Sequence, residues 1–196
     1  MHKLSIVIAL LISLQALAQH GVAVEQSFYY SKELGLLAVP VAAFKHKKGW
    51  HAEARYNYED FKTISLHAGK TFSKEGKLAY TITPLVGGLL GNTKGLSLGA
   101  NIELNLKKWN WLTQTQCVFS SDDFLYTWSE LFYAPSEWFY FGAALQHTKL
   151  TLEPHLWEPG IGVGFSVKNF SFTAYDFVAT PTKQHTFVLS LIFEKN

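Results

Sequence analysis

Apolar and polar residues alternate along this chain with a period of two, the periodicity of a strand whose two faces meet different surroundings. Three stretches carry the pattern cleanly. From Leu96 to Leu106, one face holds Leu96, Leu98, Ala100, Ile102, Leu104 and Leu106, and the other Ser97, Gly99, Asn101, Glu103 and Asn105. Between Ala52 and Glu59, Ala52, Ala54, Tyr56 and Tyr58 oppose Glu53, Arg55, Asn57 and Glu59. From Gly160 to Lys168, Ile161, Val163, Phe165 and Val167 oppose Gly160, Gly162, Gly164, Ser166 and Lys168. Each time one face is apolar and the other is small or polar.

Soluble sandwiches alternate as well, so length and aromatic placement must separate the cases. The runs here extend to roughly ten residues, where about five or six is usual in a globular sheet and about 9–11 cross a bilayer at a tilt. Aromatic residues gather near the run ends (Trp50, Tyr58, Phe61, Trp109, Trp111, Trp138, Phe139, Trp157), as interfacial girdles require. The last run, Thr186 to Phe193, sets Phe187, Leu189, Leu191 and Phe193 on one face. It resembles the closing strand of outer-membrane barrels, whose terminal aromatic is read by the barrel-assembly machinery. Here Glu194-Lys195-Asn196 continues past that aromatic.

Turn signals fall near Lys32–Gly35, His46–Gly49, Asp60–Lys62, Ser73–Lys77, Gly91–Gly95, Lys107–Asn110, Ser120–Asp123, Ala134–Glu137, Lys149–Pro159, Lys168–Phe170 and Val178–Gln184. Eleven connections predict twelve strands. An even count puts both termini in the periplasm, and with them the second, fourth, sixth, eighth and tenth connections, all of them tight. The two longest, Lys149–Pro159 and Val178–Gln184, then lie outside, where barrels keep their longer loops. Ten strands stay open, because the first forty residues and Phe124–Tyr133 punctuate less clearly. The expected fold is all-β: a closed antiparallel transmembrane β-barrel. Pro40 and Pro84 each delete a ladder donor and predict bulges or strand ends.

The start of the chain names the compartment. Met1-His2-Lys3 is a short basic segment, Leu4–Leu14 is an apolar run, and Ala16-Leu17-Ala18 supplies a small-x-small cleavage pattern. The expectation is a cleaved signal peptide over residues 1–18 and a barrel over 19–196. Removing eighteen residues from 196 leaves 178, and Lys3 leaves with them, so the +2 balance of 17 bases against 15 acids falls to +1. That gives no reason to expect nucleic acid as a partner. Cys117 stands alone and forms no intrachain disulfide. No later segment holds 18 uninterrupted apolar residues, which excludes a transmembrane helix.

The segments Arg55-Tyr-Asn-Tyr-Glu-Asp60, Gly87-Gly-Leu-Leu-Gly-Asn-Thr-Lys-Gly95 and Trp128-Ser-Glu-Leu-Phe-Tyr-Ala-Pro-Ser-Glu-Trp138 resemble stretches of small outer-membrane β-barrel proteins of Gram-negative bacteria. The resemblance runs from about residue 50 to the end. It implies a fold and a compartment, the outer membrane, and brings no catalytic residues to carry over.

The polar faces define the candidate chemistry. Glu53, Arg55, Asn57 and Glu59 are expected to line the lumen, since a basic residue facing lipid costs about 2–4 kcal/mol at midplane. His67, Asn101, Glu103, Asn105, Gln146 and Lys168 join them from other strands. Glu130 sits where both faces are bulky and the phase is unreadable; the lumen is favoured. Such a lining serves either a narrow passive channel for small solutes or a plug in which Arg55 pairs with carboxylates. Ser65 and His67 share a face, as nucleophile and base do in outer-membrane phospholipases, which raises a lipid-acting hydrolase or acyltransferase as the alternative. Their phase points inward, away from lipid, and no Gly-x-Ser-x-Gly elbow occurs. A soluble lipocalin-like barrel would invert the faces and put Glu53, Arg55, Asn101 and Glu103 in water. His20, His46, His51, His147, His155 and His185 show no ligand spacing, and Gly87–Lys94 lacks the Gly-Lys-Ser/Thr of a phosphate loop, so no metal or cofactor is expected. Outer-membrane lipid and the assembly machinery are the expected partners.

Overall fold

The alternating runs form strands throughout the described residues, which in the computed structural model are 21–151 and 153–195; the export segment read at residues 1–18 lies outside them. The strands are β1 (Gly21–Ser31), β2 (Gly35–Lys45), β3 (Trp50–Tyr56), β4 (Ile64–Lys70), β5 (Phe72–Lys74), β6 (Leu78–Leu90), β7 (Gly95–Leu106), β8 (Trp109–Phe119), β9 (Phe124–Tyr133), β10 (Phe139–Leu150), β11 (Leu156–Val167), β12 (Phe170–Val178) and β13 (His185–Lys195). Each pairs antiparallel with its sequence neighbours, except that β4 and β5 do not pair with each other; β13 pairs with β1, and β4 pairs with β6. β4 and β5 share one register on β6: Gly69 faces Leu85 and Phe72 faces Ile82. They are two halves of a single stave, so the barrel closes with twelve. Closure matters because lipid offers backbone amides no partner, and only a sheet without edges satisfies them all.

Each proline in the sheet sits where a ladder stops. Pro84 falls opposite the break between β4 and β5, where its missing N–H would have been needed. On β2, the ladder to β3 ends at Val41–Arg55, one residue before Pro40. The side chain of Asn57 takes over there, its Nδ2 donating to Ala38 O at 3.0 Å. On β11, the ladder to β12 begins at Gly160, one residue after Pro159. The N–H and hydroxyl of Thr180 both donate to Trp157 O at 3.0 Å and seal that gap.

Two expectations about phase are corrected. Alternation does not run on to Glu59, because Asn57 adopts a left-handed backbone (φ +58°) and β3 ends at Tyr56. The reversal takes Asn57 out of the lumen lining, binds its Oδ1 to Lys62 N (2.8 Å), and turns Tyr58 inward instead of toward lipid. It also makes residues 57–63 the longest connection of the barrel. Lys168 is likewise no lumen residue: it is exposed in the two-residue turn between β11 and β12, with φ +54°. The Lys149–Pro159 connection, expected among the longest, shrinks to residues 151–155, because Leu156–Pro159 pair with Leu145–Thr148 as part of β11; the other turns fall where the sequence signals them.

Outside, the wall is apolar, with Leu96, Ile161 and Val167 each more than 60% exposed. Inside, the half of the wall built by β9–β12 is packed with rings: Trp128, Phe132, Tyr175 and Phe177 are buried and in contact. The inward glycines of β11 make the space. A methyl group on Gly162 would stand 2.7 Å from the Phe132 ring and 2.9 Å from that of Tyr175, and one on Gly160 would stand 2.6 Å from Phe177. We expect Gly162→Val to lower the urea midpoint of the refolded barrel by the equivalent of about 1–3 kcal/mol, the usual cost of overpacking. Gly88→Val serves as the control, because a methyl there meets only Gly95 O at 3.7 Å, and its midpoint should stay unchanged.

Candidate functional site

The inward face of β3 presents His51, Glu53 and Arg55, all buried although charged or polar. Burial of this kind requires pairing, and the lumen supplies it. Arg55 Nε donates to Glu53 Oε1. Its Nη1 donates to Gln116 Oε1 at 2.7 Å and to Glu59 Oε1 at 3.3 Å. The guanidinium lies 4.3 Å from the centre of the Tyr58 ring. Glu53 Oε2 is 3.0 Å from His51 Nε2, and Asn101 Nδ2 donates to the same oxygen at 3.5 Å. Glu59 Oε2 accepts from Ser65 Oγ at 2.7 Å. The result is one cation held by two carboxylates, braced by neutral donors and acceptors on β4, β7 and β8.

Tyr58 carries the network across the lumen. Its hydroxyl donates to Gln114 Oε1 at 2.7 Å, and its ring meets Tyr126 edge-on at 5.7 Å. Tyr126 OH in turn donates to Gln146 Oε1 at 3.2 Å. Beyond lies the ring cluster, with Glu130 accepting from Trp128 Nε1 and from Tyr175 OH (3.0 Å). Polar side chains on one half and aromatic ones on the other thus fill the middle of the barrel.

Open space lies on both sides of this filling. Toward the outer loops is a cavity of about 820 Å³, with Glu59, Asp60, Asp122, Asp123 and Glu153 in its wall. Toward the start of β1 and the end of β13 is one of about 450 Å³, with Glu25, Glu103, Glu130 and Glu194 in its wall. Tyr58 lines both, so its side chain is part of the divider between them. Among the described residues neither wall includes a lysine or an arginine.

The structure gathers Glu53, Arg55, Glu59, His67 and Asn101 at or beside the divider. Glu103 lies below it, in the wall of the lower cavity, and Asn105 is exposed near that end, donating to Glu103 Oε1 at 2.9 Å. Gln146 is buried under Tyr126. Sequence reasoning misses Tyr58, Tyr126, Gln114 and Gln116. On β8 the runs Thr113/Thr115/Cys117 and Gln114/Gln116 make both faces polar in the middle, which hides the phase. Ser65 and His67 do not form a nucleophile and base: Ser65 binds Glu59, while His67 Nε2 is 2.7 Å from Ser97 Oγ and 3.2 Å from Gln116 Nε2. Among the described residues no three His, Cys, Asp or Glu side chains are grouped to hold a metal ion.

The architecture is that of the outer-membrane porins. A KdgM porin structure matches with a TM-score of 0.68 over 89% of this chain and 99% of its own, at 10% identity. The KdgM porin in complex with disordered oligogalacturonate gives 0.69 at 9% identity, over 89% and 99%. The NanC porin gives 0.57 at 8% identity, over 88% and 98%. No family model matches the sequence, and no curated protein does. At these identities the likeness is one of fold, and the side chains of the lumen have to be read for themselves.

The divider predicts its own fragility. Arg55→Ala leaves Glu53 and Glu59 buried without their cation, and should cost about 3–5 kcal/mol of unfolding free energy in lipid. Combining Arg55→Met with Glu53→Gln and Glu59→Gln should recover most of that loss. Equal stability of Arg55→Ala and wild type in urea titrations would contradict the ion-paired divider.

Proposed function

We propose that the protein is a low-conductance outer-membrane channel for small polar solutes, with a preference for cations. The observation that carries this reading is the pair of carboxylate-lined cavities, approaching each other from opposite mouths with Tyr58 in the wall of both. The chain as a whole is slightly basic, at +2, so the acidic lumen reflects where charges are put and not the overall composition. Arg55 is offset by Glu53 and Glu59, and Lys45, at the lower mouth, is engaged by Glu194 at 3.2 Å. Fixed negative charge in a low-dielectric tube raises the local concentration of cations and repels anions. A polyanion such as the oligogalacturonate of the KdgM complex would meet like charge at both mouths here.

Tyr58 stands where a gate would be placed. It is carried by the 57–63 connection, outside the sheet, and its swing away from Gln114 would join the two cavities. The route to the membrane belongs to the same reading: cleavage after Ala18, then insertion directed by β13 through the barrel-assembly machinery. Mass spectrometry of protein taken from the outer membrane should find a mature chain beginning at Gln19.

The test is planar-bilayer recording of the refolded barrel under a KCl gradient, with folding verified by heat-modifiable migration. Small conductance steps with a cation-directed reversal potential are expected, with several-fold larger steps for Tyr58→Ala. A folded barrel that stays silent in both forms would make this a structural barrel. An anion-directed reversal potential would refute the charge reading.

A further inference from the structure

The two ends of the barrel carry opposite charge, and this asymmetry lies outside the lumen. At the end where β1 begins and β13 finishes, the five turns contain six lysines and two carboxylates. Lys47 and Lys48 sit in the β2–β3 turn and Lys77 closes the β5–β6 turn; Lys107–Lys108 is the entire β7–β8 turn, and Lys168 opens the β11–β12 turn. At the opposite end, the six loops carry four lysines and six carboxylates. Loops are generally polar, which explains charge at both ends but not its change of sign.

The level of the bilayer surface at the lysine-rich end is marked by tryptophan. Trp50, Trp109 and Trp138 open or immediately precede strands at that end, face outward, and are 61%, 48% and 58% exposed. Tryptophan settles at the headgroup level. The turns project beyond those rings, which is the depth of lipid phosphates. One ammonium is already held at the girdle: Lys70 Nζ lies 4.9 Å from the centre of the Trp50 ring.

From this juxtaposition we infer that the periplasmic rim is a collar that docks the headgroups of anionic phospholipids in the adjoining leaflet. The chemistry is that of a ring of point charges, each able to meet a phosphate without fixed geometry. Long flexible lysines suit a fluid partner better than a rigid one. The collar orients and retains the barrel in the leaflet that matches it, whether or not the lumen conducts.

The test uses the refolded chain in a neutral detergent, titrated with phosphatidylglycerol or phosphatidylcholine and followed by native mass spectrometry. Wild type should retain phosphatidylglycerol at least about tenfold more strongly at low salt, since each lysine at an anionic surface is worth about fivefold in affinity. Raising the salt should erase most of that difference. Replacing Lys47, Lys48, Lys107 and Lys108 by Gln should lower phosphatidylglycerol retention about tenfold or more. The same change at Lys32, Lys62, Lys94 and Lys183 should leave it intact. Equal retention of the two lipids by wild type, or equal loss in both quadruple variants, would overturn the collar. The wild-type lipid and salt comparisons decide the matter even if a variant fails to fold.

Discussion

Lipid cannot hydrogen-bond, and that one constraint shapes the whole barrel. Every backbone amide in the wall must find its partner in the sheet, so the sheet has to close, and β4 meeting β6 around the short β5 achieves it. Charged side chains in the middle of the wall must then turn inward, since the outer face is surrendered mainly to Leu, Ile, Val and Phe, and the outward hydroxyls of β8 bond to those of β9 (Thr113 to Ser129, Thr115 to Thr127). The lumen becomes the one place where Glu53, Arg55 and Glu59 can be buried together. Their mutual pairing is less a device for stability than the least costly arrangement for charges that have nowhere else to go.

The same constraint explains the exceptions. Pro40, Pro84 and Pro159 each remove a donor, and each coincides with the end of a ladder; at Pro40 and Pro159, Asn57 and Thr180 supply hydrogen bonds from outside the sheet. The repair by Asn57 has a wider consequence. A left-handed residue flips the phase of the chain beyond it, and the next side chain, Tyr58, becomes the partition between two cavities. A local repair of the backbone thus places the side chain that lines both cavities. On the other half of the wall, β11 gives up its inward side chains so that rings from β9 and β12 can fill the tube.

Much of this is legible in the sequence, for a physical reason. Alternation is a statement about two faces, and where one face is purely apolar, as in Leu96–Leu106, the fold and the inward set can be read directly. The eleven turn positions are readable because Gly, Asn, Asp, Ser and Lys clusters interrupt the alternation. What escapes is whatever breaks phase or hides it. Asn57 reads as one more polar position until its backbone is seen, and Tyr58 therefore reads as lipid-facing. On β8, Thr and Gln occupy both faces, so Gln114 and Gln116 cannot be placed. The ring cluster is invisible because its aromatics look like lipid-facing ones. Only the glycine stripe of β11, which leaves space opposite them, hints otherwise.

If the lumen is two vestibules parted at Tyr58, reagents entering from outside should stop at that ring. Side-specific thiol labelling tests this. With Cys117 replaced by Ser, single cysteines are placed at Thr148, in the wall of the outer cavity, and at Ser171, in that of the lower one. A small membrane-impermeant thiol reagent is then added to intact cells. We predict rapid labelling at position 148 and labelling at position 171 slower by at least an order of magnitude, with the difference abolished by Tyr58→Ala. Equal labelling of both positions in the barrel that retains Tyr58 would mean an open lumen and would contradict the partition.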